Sequence, residues 1–152
     1  MGFFSNLFDH FKSEDFHISP NMKVKTVQHN FKENFGLTLR VYKGKRFADP
    51  DSTINQLDKQ TSADIKTTAS DITIKAAMKL SDFEDKIKTT YGLTVQVADE
   101  FNRYIIKNHY TLGQASRREP LTDWLKERKY DSIEDFLKKN NCKTLKEYYD
   151  KN

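Results

Sequence analysis

The chain has 152 residues, 32% of them charged and 36% hydrophobic, with a formal net charge of +4 at pH 7 and a mean hydropathy of −0.83. This composition is typical of a soluble domain that can bury a core, and no apolar run approaches the roughly 18 residues that span a bilayer. The one cysteine, Cys142, excludes a disulfide within the chain, and we expect a cytoplasmic protein without a signal peptide.

The first segment, residues 1–14, is predicted to be a short amphipathic helix. Its apolar side chains fall on one side: Phe3, Phe4, Leu7, Phe8 and Phe11. Such a face has to be covered. We expect it to pack back on the domain, and the alternatives are a partner groove, a membrane surface or a homodimer formed through these residues. The helix has no basic face for anionic lipid, so a partner is favoured over a membrane.

The stretch MKVKTVQHNFKENFGLTLRVY, residues 22–42, recurs as MKLSDFEDKIKTTYGLTVQVA, residues 78–98, at an offset of 56. In both copies apolar residues at i, i+3, i+7 and i+11 form one stripe of a helix, predicted over 24–35 and 80–91. Gly36 and Gly92 stand where a left-handed residue ends a helix, and an alternation typical of a strand follows each glycine. The predicted N-terminal caps are Thr26 in the first helix and a capping box, Ser81 with Glu84, in the second.

Extended outward, the repeat predicts two units of the form β, α, β, β at residues 15–57 and 71–115, joined by a polar linker at 58–70. One unit has too little apolar surface to fold alone. The predicted fold class is therefore α+β, with two tandem βαββ units sharing an antiparallel-rich sheet of about six strands and both helices on one face. How the strands of the two units pair is left open.

Residues 116–152 form a C-terminal extension in which a twelve-residue repeat predicts three short helices. Ser132 and Thr144 are the predicted N-caps of the last two, and Pro120 opens the first. Each helix presents one aromatic residue on its apolar face: Trp124, Phe136 and Tyr148. We expect these rings to stack in a small cluster, and the alternative is an aromatic groove for a partner peptide or a base.

The segments FGLTLRVYKGKRFAD, YGLTVQVA and TLGQA resemble small uncharacterised bacterial proteins that carry such tandem modules. The resemblance covers roughly residues 15–115 of this chain. It implies the two-unit organisation and brings no activity with it, so no functional residues are transferred. The Lys-rich and Asn-rich composition suggests a bacterial or phage genome.

The chain lacks the patterns of common catalytic and cofactor sites. Its four histidines are far apart, with no HxxxH or HExxH spacing, so no metal site is expected. The glycines include no GxGxxG or P-loop, and no nucleophile elbow or Cys-His pair occurs. We therefore expect no cofactor and no enzymatic activity, with a convergent site built from distant residues as the less favoured alternative.

Lys and Arg outnumber Asp and Glu in the first unit and equal them in the second. The excess is concentrated in one predicted strand and turn, at Arg40, Lys43, Lys45 and Arg46. These residues, extended by Arg117 and Arg118, are the predicted contacts for an anionic partner, with Tyr42 and Phe47 available for stacking. The simpler interpretation is a solvated hairpin whose lysines protect a sheet edge.

Two functions compete for these surfaces. The favoured one is a non-enzymatic protein-interaction adaptor, regulator or inhibitor, such as a phage inhibitor of a host nucleoprotein enzyme, that contacts a protein partner through the basic turn and the C-terminal aromatic residues. The alternative is an RNA-binding or DNA-binding protein that uses the basic turn. The modest net charge of +4, with acidic residues interspersed elsewhere, disfavours this alternative.

Overall fold

The structure, a computed structural model, describes residues 15–58 and 70–152. The helix predicted for residues 1–14, the dimer contact predicted there and most of the predicted linker lie outside these ranges. The strands are Phe16–Ile18 (β1), Thr38–Lys43 (β2), Arg46–Phe47 (β3), Ile72–Ile74 (β4) and Thr94–Ala98 (β5). The helices are Val24–Phe35 (α1), Ile54–Asp58 (α2), Leu80–Tyr91 (α3), Leu112–Ser116 (α4), Glu119–Glu127 (α5), Ile133–Lys139 (α6) and Leu145–Lys151 (α7). The predicted α+β class is confirmed.

Both long helices end where the sequence predicts. The backbone φ is 70° at Gly36 and at Gly92, and each glycine N–H donates to the carbonyl four residues before it, at Lys32 or Lys88. A residue with a Cβ is strained at this φ. Glycine therefore lets the chain pass directly from each helix into the next strand.

The side-chain caps predicted at the helix starts are wrong. Since α1 begins at Val24 and α3 at Leu80, Thr26 and Ser81 lie inside the first turn, and neither helix has a side-chain cap. The first N–H groups instead donate to the loop that follows in the same unit: Val24 N to Ser52 O at 2.9 Å, and Leu80 N to Tyr110 O at 2.8 Å. Tertiary structure thus satisfies donors that otherwise need a cap.

The strands form two antiparallel sheets, so the predicted single sheet of about six strands is wrong. β1 pairs with β4, and the second sheet has the order β3-β2-β5. The pairing left open by the sequence therefore joins the two units, because β1 and β2 of the first unit pair with β4 and β5 of the second. Among the residues that the structure describes, β1 and β4 have no other partner strand.

The two faces of the second sheet differ in burial. Leu39 and Val41 of β2, with Val95 and Val97 of β5, are buried in one core with α1 and α3. The alternating β2 residues are only partly buried, which is the pattern of a sheet with one covered face and one open face. We call this second side the outer face of the sheet.

The third strand predicted for the second unit is reduced to one bridge, between Ala98 and Ile105. Between these residues, the buried carboxylate of Asp99 accepts the backbone N–H groups of Arg103 at 2.5 Å and Tyr104 at 3.2 Å. It satisfies donors that a ladder would otherwise pair. Residues 99–104 therefore form a closed turn, which we call the Asp99 turn.

The two units carry matching hydrogen bonds at their ends. Thr53 with Gln56 and Thr111 with Gln114 form the same capping box, in which each backbone N–H meets the other residue's side chain at 2.9 or 3.0 Å. These boxes begin α2 and α4, and they satisfy N–H groups at the start of each short helix. That one ancestral unit was copied in tandem stays a prediction, which these bonds support.

The C-terminal helices α5, α6 and α7 enclose a second, smaller core made of Leu121, Leu125, Phe136, Leu137, Cys142 and Leu145. The predicted N-caps are confirmed: Ser132 Oγ accepts from Asp135 N at 3.0 Å, and Thr144 Oγ1 accepts from Glu147 N at 3.1 Å. The carboxylates of Asp135 and Glu147 accept the N–H of the residue before each cap. These backbone hydrogen bonds hold the pKa of both carboxyl groups below the ordinary range.

Candidate functional site

The basic turn predicted from the sequence is a two-residue hairpin between β2 and β3. Gly44 has a φ of 62°, and a Cβ there would meet nothing within 4 Å, so glycine answers a backbone requirement of the turn. Residues 44–47 are exposed, and Phe47 has 68% of its surface accessible. We call the set Tyr42, Lys43, Lys45, Arg46 and Phe47 the hairpin surface.

The two aromatic residues of the hairpin surface lie against each other. Tyr42 and Phe47 are directly opposite in the β2–β3 pairing, with ring centroids 5.0 Å apart and an interplanar angle of 19°. The Tyr42 hydroxyl donates to Gln96 Oε1 at 2.9 Å. This hydrogen bond fixes the Tyr42 ring, while the Phe47 ring stays exposed at the edge of the sheet.

The predicted cations differ in their contacts. Arg40 is engaged within the fold, because its Nε donates to Asn102 Oδ1 at 2.6 Å and its Nη2 donates to the Asn102 carbonyl at 3.2 Å. Lys43 is partly buried, whereas Lys45 and Arg46 are exposed. Within residues 15–58 and 70–152, Lys45 and Arg46 take part in no side-chain hydrogen bond or ion pair.

Arg117 and Arg118 are both engaged with carboxylates at the start of α5. Arg117 pairs with Glu119 at 2.8 Å, and Arg118 pairs with Glu100 of the Asp99 turn. Burial raises the pKa of the Glu100 carboxyl group in spite of the adjacent Arg118 guanidinium. The Arg118–Glu100 pair therefore ties the C-terminal helices to the second unit.

The Asp99 turn is the counterpart of the hairpin, and the C-terminal helices pack on it. The Phe101 ring lies 5.6 Å from the Tyr149 ring, and the Arg103 guanidinium lies 5.4 Å from the same ring. From the sequence, the difference between the two turns indicated that the first was specialised. The contacts offer another explanation of this difference, since the Asp99 turn carries the two residues that contact Tyr149 of α7.

Where the second unit meets the C-terminal helices, a groove of about 470 Å³ opens. We call it the junction groove. Its aromatic and aliphatic wall is formed by Tyr104, Ile105, Tyr110, Trp124, Phe136 and Tyr148. A concave site of this size, lined mainly by apolar side chains, is typical of ligand and peptide sites.

The three C-terminal aromatic residues predicted from the twelve-residue repeat meet in this groove. Phe136 lies between the other two, 5.9 Å from Trp124 and 4.8 Å from Tyr148, with edge-to-face geometry in both pairs. Phe136 is buried, whereas Trp124 is 38% exposed. The three rings thus form the expected stacked cluster, and the same rings line a groove; that this groove binds a partner stays a prediction.

Polar groups occur at specific points of the junction groove. The Tyr110 hydroxyl donates to Asp123 Oδ2 at 2.7 Å, and this hydrogen bond raises the pKa of Tyr110 to about 12. Arg128 lies over the Trp124 ring, with its guanidinium carbon 4.0 Å from the centroid, an arrangement that orients an exposed indole. Glu127 and Lys107 complete the charged lining.

The opposite wall of the junction groove, at residues 104–110, was missed in the sequence. The sequence predicts only that Tyr104, Ile105 and Ile106 belong to the second unit, residues 71–115. In the structure Ile106 is buried and Ile105 is 41% exposed. Ile105 takes the position that Phe47 has in the hairpin, because Ile105 bridges Ala98 and Phe47 pairs with Tyr42. The sequence repeat was therefore the signal that could have identified Ile105.

The described histidines are dispersed. His17 Nδ1 lies 3.0 Å from Thr73 Oγ1 across the β1–β4 pair, His29 lies beside Glu33, and the His109 ring packs against Tyr110. No group of three or more potential metal ligands occurs within residues 15–58 and 70–152. In the same ranges no helix has the length and apolar character needed to cross a bilayer.

No protein-family model, curated protein or solved structure matches this chain.

Proposed function

We propose that this chain is a non-enzymatic protein-interaction module whose junction groove binds a peptide segment of a partner protein. One observation carries the proposal: Ile105 and Trp124, two of the three large hydrophobic side chains exposed among the described residues, line the same groove. Single exposed apolar residues are ordinary on protein surfaces, whereas convergence in a concave site favours recognition.

The aromatic content of the groove supports a peptide as the ligand. Trp and Tyr dominate the binding energy of protein interfaces, because they bury much surface at a small cost in conformational entropy. Trp124 is oriented by Arg128 and by its edge-to-face contact with Phe136. A side chain held in this way before binding loses little freedom on binding.

The charges of the groove favour a basic peptide over a nucleic acid. Asp123 and Glu127 lie one turn apart on α5. Glu127 pairs with Arg128 at 3.8 Å, the cation that lies over Trp124, and Lys107 is the one cation among the residues that line the groove directly. Asp123 accepts the Tyr110 hydroxyl and has no cation partner among the described residues, so its carboxylate repels phosphates and attracts the Lys or Arg side chains of a peptide. The proposed ligand therefore carries an aromatic or aliphatic anchor next to a basic residue.

Selection from a library of random peptides tests this proposal. Selected peptides are expected to be enriched in aromatic or aliphatic residues beside Lys or Arg. Trp124→Ala should weaken their binding by about 2 kcal/mol or more, the range of an interface hot spot, and Ile105→Ser should also weaken it. Ile105→Ser provides a second test, because Trp124 also contacts Phe136 within the C-terminal core.

Phe47→Ala is the matched control, since it removes an exposed aromatic ring outside the groove. Peptides that bind the Trp124 and Ile105 variants as well as they bind the unaltered chain would overturn the proposal. So would peptides that lose affinity only for Phe47→Ala, because the hairpin surface would then be the peptide site.

A further inference from the structure

The outer face of the β3-β2-β5 sheet is a second candidate surface, distinct in composition from the junction groove. The side chains that reach it include Arg40, Tyr42, Phe47 and Gln96, whose partners in the pairing place them on one side. Leu39 and Val41, on the opposite side, are buried in the core that contains both long helices. No helix of the described residues covers Phe47, which is 68% exposed.

The charge at the hairpin tip, next to this face, is unbalanced. Lys45 lies in the turn, and Arg46 pairs with Lys43 and so lies on the other side of the sheet from Phe47. Neither cation has a carboxylate partner among the described residues. The acidic residues that follow in the chain are engaged elsewhere: Asp49 accepts the backbone N–H of Asp51 at 3.0 Å, and Asp51 pairs with Lys25 at 2.8 Å. The cations thus remain available for an anionic ligand.

We propose that the hairpin surface binds single-stranded nucleic acid, with a base stacked on Phe47, one adjoining phosphate contacted by Lys45 in the turn, and the next contacted by Arg46 around the edge of β3. The Phe47 ring is backed by Tyr42 at 5.0 Å, and Tyr42 is held by Gln96. Supported, exposed aromatic rings next to cations are how sequence-tolerant proteins hold single strands. This proposal is independent of the peptide site and concerns different residues.

The aromatic stack selects among anionic partners. An acidic protein segment would use the two cations and gain little from a bare phenyl ring, whereas every nucleobase has a face that stacks on it. Duplex DNA hides its bases within the helix and is usually bound by a longer basic stripe. The combination on this surface therefore favours an unpaired strand.

Fluorescence anisotropy with a labelled oligothymidylate of about ten nucleotides, a length within the usual site sizes, tests the proposal. Affinity should fall between about 50 and 200 mM salt. Lys45→Ala with Arg46→Ala should lower the slope of log K against log salt by about 0.7 for each cation removed. Phe47→Ala should weaken binding roughly five- to a hundredfold, and Phe47→Tyr should restore it.

The control for charge is Lys86→Ala with Lys138→Ala, which removes two exposed lysines elsewhere and should leave the slope unchanged. Equal loss in this control would assign binding to net charge and overturn the proposal. No binding at about 50 mM salt, or an unchanged affinity in Phe47→Ala, would also overturn it. So would a labelled oligoglutamate peptide that binds as well as the oligonucleotide, since the surface would then be a general anion site.

Discussion

Arg40 and Gln96 face each other at the centre of the β2–β5 pairing, and they are 56 residues apart, the offset of the sequence repeat. His17 and Thr73, at the centre of the β1–β4 pairing, have the same separation. Each ladder is thus centred on two residues that the repeat places at equivalent positions. This arrangement has the pattern of a twofold relation between the units, each completing both sheets of the other.

The shared core predicts that the two units unfold together. Phe31 and Phe83, one from each long helix, are fully buried and stacked with centroids 5.5 Å apart. Phe31→Ala should cost about 3–5 kcal/mol of unfolding free energy, the usual cost of such a cavity. Urea unfolding followed by circular dichroism should show one transition at a lower midpoint, and two separate transitions would contradict a common core.

Because the two capping boxes are equivalent, removing either one should lower the free energy of unfolding by a similar amount. Thr53→Ala and Thr111→Ala each remove the hydroxyl that accepts a backbone N–H of a short helix, and each should cost about 1 kcal/mol. Urea midpoints measure the loss. Thr89→Ala, at an exposed position of α3, is the control and should change stability little. A large loss at only one of the two capping threonines would show that the boxes are not equivalent.

The Asp99 turn is predicted to hold the C-terminal helices. Phe101→Ala removes the ring that packs on Tyr149, so amide protection in α5, α6 and α7 should fall about tenfold, as expected for an aromatic pair. Hydrogen exchange measured by mass spectrometry should show no such fall in α1. Phe47→Ala is the control in the other turn. An equal loss of protection throughout the chain would mean that Phe101 supports the whole fold.

Tyrosine ionisation should limit stability in alkali. The pKa of Tyr110 is raised to about 12 by its hydrogen bond to Asp123, and burial raises that of Tyr149 to about 12. A folded pKa above the unfolded value near 10 means that these contributions are complete below pH 10 and are lost as pH rises toward 12. Urea midpoints should fall across this window, and less steeply in Tyr110→Phe. An identical fall in that variant would contradict the assignment.

The sequence predicts the parts of this fold that depend on neighbours along the chain. The stripe at i, i+3, i+7 and i+11 defines both long helices, since helical neighbours are determined by spacing alone. The glycines at 36 and 92 mark the ends of these helices, because the left-handed residue that closes a helix is usually a glycine. Ser132 and Thr144 identify two short helices because a cap bonds to a group only three residues away.

The features missed in the sequence depend on distant contacts. Ser81 resembles a cap, but the carbonyl groups of the loop at 108–110 accept the N–H groups at the start of α3 in place of a side chain. The third strand predicted for the second unit is missing because the Asp99 carboxylate binds the backbone N–H groups of Arg103 and Tyr104 and forms a turn there. The junction groove requires Ile105 to meet α5 and α7, which no local pattern encodes. The aromatic residues of the groove were predicted, and its opposite wall was not.

Trp124 is the single tryptophan of the chain and lines the junction groove, so its fluorescence reports directly on the proposed peptide site. Titration with a selected peptide should shift the emission to shorter wavelength and reduce quenching by acrylamide, both saturating with the binding curve, because the ligand covers the indole. A peptide that binds with the same affinity and leaves the emission and the quenching of Trp124 unchanged would contradict the account.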